Sequence, residues 1–425
     1  MHLRQNFSLP CMVVILSCFA CQAIASDFYE QDDTLRLRLR NELRRADKPS
    51  AGAASDIYAW VQGAALEYNS PYAGDIVGVD VGGFYTQRLD SRDNWSTRWY
   101  LDGDDSFGRY TAAVKVKLSD TLKLKAGRMV TDSTYSGQDD IPIINTSSQR
   151  TQPSISDGVL LKYSPRYNLD IYGMYRVGVY TYPDVSLGVH KAGPINPNTL
   201  KYDNMLPQYI TSVVYHNQLD TYAVSTSWQK DVAAQVMTRA SQRYPVDTTG
   251  ENYIKPEWMA FYGKLNGVST KYDGPVSTYV LSGQLNYVFK QGSVFVAAGK
   301  VGPKLNRLGG VDTDLGYAFD LSIDRNHSDM WSAQLGRTWN LPYDTFIGVA
   351  EIFTNGYEDY HQKVKVTGVA TDVYLGYMPK SGYLKGLRSL LILNSAREER
   401  EGSALGNHLD YFDIKLTVQY DFTLR

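Results

Sequence analysis

Four lysines sit two by two on either side of a short turn: Lys115 and Lys117 precede Ser119–Thr121, and Lys123 and Lys125 follow it. A direct turn sets Lys117 opposite Lys123 and Lys115 opposite Lys125. Like charges opposed across a sheet destabilise it, by about a few tenths of a kcal/mol per hydrated pair. A structural wall gains nothing from that, whereas a narrow wet passage does: a positive ladder lowers the electrostatic cost of moving an anion or carboxylate. Arg36, Arg38 and Arg40 repeat the motif at every second position, and Arg88, Arg128, Arg176 and Lys415 are expected on the same face. Asp80, Asp170, Asp413 and Asp421 share it, so a solvated wall of mixed sign is the competing reading.

Residues 130–155 form a long polar segment with Tyr135, Asp139, Asp140, Asn145, the hydroxyls of Thr146, Ser147 and Ser148, and Arg150. Acid and base facing each other across an opening would align a dipolar solute, which makes this the expected constriction. A plain solvated loop fits the same residues.

Other chemistry is weakly represented. Asp102, Asp104 and Asp105 read as an exposed acidic loop, with a cation bridging lipopolysaccharide phosphates as the alternative. After residue 25 the histidines are His190, His216, His327, His361 and His408, scattered without metal-ligand spacing. No G-x-S-x-G, H-E-x-x-H or P-loop is present, so no cofactor, metal or covalent catalysis is expected. A barrel hydrolase would need a histidine paired with a hydroxyl or carboxylate, and nothing marks such a pair. A purely structural barrel would have a narrow or plugged lumen.

The elements that must hold these residues alternate with a period of two. From Phe412 to Phe422 every even position is apolar and every odd one polar, which sends grease to one face of a strand and water to the other. Leu35, Leu37 and Leu39 oppose Arg36, Arg38 and Arg40 in the same way, and Val114 and Val116 oppose Lys115 and Lys117. Runs of about 9 to 13 residues suit tilted strands crossing a hydrocarbon layer better than strands of a soluble sandwich or propeller. Aromatic residues cluster toward run ends, as in Tyr58 and Trp60 against Tyr68, or Trp331 against Trp339. The pattern predicts eighteen strands, near 34–44, 57–69, 75–88, 109–119, 121–129, 156–164, 167–177, 208–216, 220–229, 231–243, 256–269, 276–289, 293–302, 328–339, 344–355, 366–378, 385–395 and 409–422. Short turns alternate with long loops, and 216–275 is where that rhythm is least regular. A closed antiparallel transmembrane β-barrel follows, because no backbone polar group can face lipid unpaired.

Composition agrees. Lys+Arg 43 against Asp+Glu 45 leaves a formal net charge of −2, with no basic field for nucleic acid, and Tyr 33 against Phe 13 suits a protein with much water–lipid boundary. Arg4, the apolar run Leu9–Ala20 and Ala23-Ile24-Ala25 read as a secretory signal peptide over 1–25, leaving 26–425 as one barrel domain. All three cysteines, Cys11, Cys18 and Cys21, fall inside it, which excludes disulfides and thiol chemistry from the barrel.

Trp60-x-Gln62-Gly63 with Leu66, Tyr68 and Ser70, then Val79-Asp80-x-x-Gly83-Phe84-Tyr85, resembles the opening strands of the OprD-type outer-membrane porins, a family that includes enterobacterial chitoporins. Ala112–Lys117 with Leu124–Gly127, Asp157-Gly158-Val159, and Leu384–Leu387 are similar to later parts of that family. The resemblance implies an outer-membrane porin for small hydrophilic solutes, with a basic lumen ladder and an inward-folded third loop. Carboxylate-bearing solutes come first and chito-oligosaccharides or related sugars second. Expected partners are outer-membrane lipid and lipopolysaccharide, the solutes themselves, and the barrel-assembly machinery through the C-terminal strand; the expected state is a monomer or weak trimer. One departure is the ending Thr423-Leu424-Arg425 after Phe422, where such barrels commonly finish on an aromatic residue.

Overall fold

A computed structural model describes residues 33–47, 56–101, 104–131, 141–144, 151–180, 206–271, 274–303, 316–318, 327–402 and 408–424. The expected signal peptide lies outside them. The strands are β1 (Thr34–Asp47), β2 (Ile57–Asn69), β3 (Val77–Ser91), β4 (Ser106–Lys117), β5 (Leu122–Val130), β6 (Ile155–Arg166), β7 (Leu169–Tyr180), β8 (Gln208–His216), β9 (Thr221–Gln229) and β10 (Ala233–Ser241). They continue as β11 (Tyr244–Pro245), β12 (Tyr253–Leu265), β13 (Ser277–Phe289), β14 (Gly292–Val301), β15 (Ser328–Leu341), β16 (Thr345–Tyr357), β17 (Lys365–Tyr377), β18 (Leu387–Glu401) and β19 (His408–Thr423).

Each strand pairs antiparallel with the next, except that β10 skips β11 and pairs with β12, and β1 pairs with β19, so the sheet closes on itself. The two-residue β11 pairs only with β12 and belongs to the 242–252 connection, which leaves eighteen staves. That connection resolves the irregular rhythm of 216–275: β9 and β10 meet in a tight turn at Lys230–Val232, and the longer link carries a small hairpin. The strand expected over 256–269 starts at Tyr253 and stops at Leu265, because Gly267–Lys271 winds into a 3-10 turn.

Alternation builds two unlike faces. Most outward positions are apolar, and aromatics band them at two heights: Tyr175, Tyr209 and Trp228 form a contiguous row, with Tyr215 and Tyr222 about six residues lower on β8 and β9. Trp60, Trp258 and Trp331 also point outward, well exposed. Inward positions are buried although many are charged, since loop segments return into the cylinder. The helix α1 (Asn94–Leu101), whose Ser96 amide donates to Asp93, buries Tyr100 and Leu101 on the inward Ala59, Val61 and Phe107.

Candidate functional site: the charged inner wall

The inward file of β1 runs Arg36, Arg38, Arg40, Glu42, Arg44, one side chain every two residues or about 7 Å. On β19 the same face carries Asp413, Lys415 and Asp421. Closing the barrel brings the two files together: Arg38 Nε donates to Asp421 Oδ1 at 2.5 Å, and Arg44 holds Asp413 through two nitrogens. Glu42 is wholly buried between Arg40 at 3.2 Å and Lys415 at 3.2 Å.

The lysine hairpin has the expected register, with Lys115 opposite Lys125 and Lys117 opposite Lys123. What permits it is Asp80 on β3. Its carboxylate meets Lys115 Nζ at 3.1 Å and Lys125 Nζ at 2.5 Å. The stem of Lys115 lies on Gly78, where an added Cβ would sit 2.7 Å from Lys115 Cε, and its ammonium stands 5.0 Å from the Tyr72 ring. Two bases share one acid here as they do at Glu42, so the formal charges of each triad sum to +1. Lys117 marks the mouth: it bonds Asp75 and Asp120 in the adjoining turns, and its hydrogen bond holds the Asp120 carboxyl below the ordinary value. Lys123 lies between Lys117 and Lys162 in the register.

Arg176 is inward and buried, donating through Nε to Gln208 Oε1 at 2.8 Å. Arg128 departs from the expected ladder. Strict alternation points Lys123, Lys125 and Gly127 one way and Arg128 the other, opposite Ala112, and its guanidinium lies 4.5 Å from the outward Tyr110 ring. Asp157 takes its charge in a two-pronged contact at 2.8 and 3.0 Å. Gly127 adopts φ 130° there, and a Cβ would meet Ala112 O at 2.4 Å, so only glycine fits.

Charged inward residues escaped the sequence reading, three bases and an acid near the ladder among them; Glu257, Asp372 and Glu398 also lie buried on the inner face. Glu42 and Arg44 continue the even file of β1 past Asn41, and Lys162, 3.4 Å from Asp170, continues the inward file of β6. Arg109 donates to the carbonyls of Pro153 and Tyr180 and so ties loop to wall. Simple extension of each alternating file would have found the first three.

The 131–154 connection enters the cylinder at both described stretches. Ile141 and Ile143 are buried in a cluster with Tyr172, Met174, Ile210 and Met237, and Pro142–Ile144 packs against β9 and β10. The return leg docks on β3 and β4: Thr151 bonds Thr86 at 2.9 Å, and Gln152 Nε2 donates to Thr86 Oγ1 and Phe107 O. Gly63 leaves room for Thr151, whose Cβ would lie 2.8 Å from a Cβ at that position. Tyr135, Asp139, Asp140, Asn145 and Arg150 lie outside the described residues. A second connection also reaches the wall, where Tyr317 N donates to Ser282 Oγ at 2.8 Å.

The comparisons with known proteins agree with this architecture. A sequence profile described as "outer membrane porin, OprD family" matches residues 26–174. The membrane-associated protein UidC of Escherichia coli (strain K12) is 41% identical over 405 residues, covering 95% of each chain. Among solved structures, Pseudomonas aeruginosa OpdK with vanillate superposes with a TM-score of 0.73 at 19% identity, covering 92% of this chain and 99% of that one. Pseudomonas aeruginosa OccK2 (OpdF) in complex with glucuronate gives 0.71 at 17%, covering 93% and 100%. The closed eighteen-stave cylinder and the full-length relative together establish that this chain belongs to the OprD family of outer-membrane porins, non-enzymatic channels through which small molecules cross the bacterial outer membrane.

Proposed function

We propose that the channel favours small hydrophilic solutes bearing a carboxylate. The observation that carries this reading is the pair of two-base, one-acid triads at Asp80 and Glu42, which gather four bases around two acids on the inner wall. A solute carboxylate entering the lumen can exchange onto the bases of a triad, pass to the next base of the same file about 7 Å on, and leave without any covalent step. Arg36, Arg38, Arg40, Lys115, Lys117, Lys123, Lys125, Arg176 and Lys415 are the rungs of this reading, with Arg128 retained only as a neutralised pair at the outer end. The 131–154 connection is the proposed constriction. OpdK with vanillate and OpdF with glucuronate, both carboxylates in those proteins' structures, support the same class.

The chito-oligosaccharide alternative loses part of its support, because Trp60, Trp228, Trp258 and Trp331 are exposed on the outward face. Planar-bilayer recording separates the readings. Benzoate and glucuronate are expected to carry current or block it transiently, and a neutral chito-oligosaccharide is not. Block by chitohexaose with no response to either acid would reverse the order.

A further inference from the structure

The corner where β9, β10 and β12 end carries cations that the channel reading does not use. It lies at the end of the barrel with the long connections, which in such barrels is the extracellular one. Lys230 and Lys264 are both exposed there, and neither makes a hydrogen bond or an ion pair among the described residues. Each stands just outside a girdle aromatic. Lys230 follows Trp228 by two residues and Lys264 follows Tyr262 by two, one side-chain repeat or about 7 Å toward the outside. Trp228 belongs to the row with Tyr209 and Tyr175, and Tyr262 faces the exposed Tyr279 of β13. The two ammonium groups therefore sit at the height of the outer-leaflet headgroups, with rings for acyl chains directly below them. Between them the wall is low: the exposed Ala234 is the register partner of both Trp228 and Lys264.

The corner is braced, so the spacing of the two lysines is fixed before anything binds. Asn266 Nδ2 donates to Gln229 O at 3.1 Å and Asn266 N to Val232 O at 3.1 Å, while Ser269 Oγ donates to Asp231 O at 2.6 Å. The acid beside Lys230 is turned away from it: Asp231 Oδ1 accepts from Val268 N at 3.3 Å. Gly267, at φ 53°, makes room for that contact, since a Cβ there would lie 1.9 Å from the same oxygen. Other outward cations near this end have acids of their own, Arg397 with Asp410 at 2.7 Å and Arg128 with Asp157 at 2.8 Å. A fixed pair of unmatched ammonium groups above an aromatic row calls for an anion that also brings hydrocarbon.

We infer that this corner is a binding site for a phosphorylated glycolipid of the outer leaflet, the lipid A part of lipopolysaccharide. Its phosphates lie on Lys230 and Lys264, its sugar lies over Ala234, and its acyl chains run down past Trp228, Tyr209 and Tyr262. A zwitterionic phospholipid fits less well, because its own ammonium meets two lysines. Each ammonium beside an anionic lipid contributes about fivefold to binding, so the pair contributes about thirtyfold.

The test is native mass spectrometry of the whole protein in detergent, titrated with bis-phosphorylated lipid A, with its dephosphorylated form and with phosphatidylethanolamine. The wild type is expected to retain one molecule of the bis-phosphorylated lipid and to release the other two. Lys230→Gln with Lys264→Gln is expected to weaken that adduct about thirtyfold, and each single change about fivefold. Lys230→Arg with Lys264→Arg is expected to keep it. The control is Lys363→Gln with Lys365→Gln, two exposed lysines elsewhere on the same rim, which is expected to bind like the wild type. Equal retention by the Lys230→Gln, Lys264→Gln variant, or an equal loss in the control, overturns the inference. So does equal retention of the dephosphorylated lipid by the wild type, an arm that needs no variant to fold.

Discussion

Replacing Lys115 by glutamine tests the ladder most directly, because the structure says what is left behind. Asp80 keeps Lys125 at 2.5 Å, so the variant strands no buried carboxylate, and the triad falls from one net positive charge to none. A solute carboxylate passing about 6 Å from that triad interacts with one charge by about 0.7 kcal/mol at the permittivity of water and about 2.8 kcal/mol at an effective value near 20. The loss therefore corresponds to a drop in benzoate-to-potassium permeability ratio of about threefold at least and about a hundredfold at most. Reversal potentials under a salt gradient across a planar bilayer give the ratio. The electrostatic origin has its own signature: the screening length falls from about 10 Å at 0.1 M to about 3 Å at 1 M, so wild type and variant are expected to converge in concentrated salt. Equal permeability ratios at 0.1 M, or a difference that persists undiminished at 1 M, would refute the reasoning.

Three further outcomes follow from named contacts. Arg44→Ala takes from the fully buried Asp413 its two-nitrogen contact, and a loss of up to about 3–5 kcal/mol is expected at the barrel seam; the temperature at which the folded band disappears in SDS electrophoresis should fall, while Arg44→Ala with Asp413→Ala recovers most of it. Gly63→Val forces Thr151 away from the wall at a cost of about 1–3 kcal/mol, so the return leg loosens and single-channel records should show larger or noisier open currents. Gln152→Ala removes two buried hydrogen bonds, worth about 0.5–1.5 kcal/mol each, and should give the same current signature more weakly with unchanged ion selectivity.

The staves were legible wherever grease and water alternate without interruption. The segments read at 57–69 and 208–216 coincide with β2 and β8, each flanked by polar turn residues. The last stretch of β18 was missed because it runs to Glu401, beyond the lipid, where Arg397 and Glu399 leave the outward face as polar as the inward one and the signal of period two vanishes. The start of β12 hid behind Lys255 and Pro256 for the same reason. Of the site, the lysine pairing followed from turn length alone, but the sharing of Asp80 depends on which strands neighbour one another in space. The inward course of the long connection had a sequence signal that went unused: Ile141, Ile143 and Ile144 are out of place in a solvated loop.

The join between the first and last strands has a consequence for biogenesis. Arg38 with Asp421, Arg44 with Asp413, and Lys415 with Glu42 lie along one line that exists only once the cylinder shuts. Sliding either edge by a single residue would swing every one of these groups toward the acyl chains, and sliding by two would set mismatched charges against each other. Maturation thus ends on a zipper whose teeth engage in one alignment, so a wrongly registered edge stays open until it finds the right one.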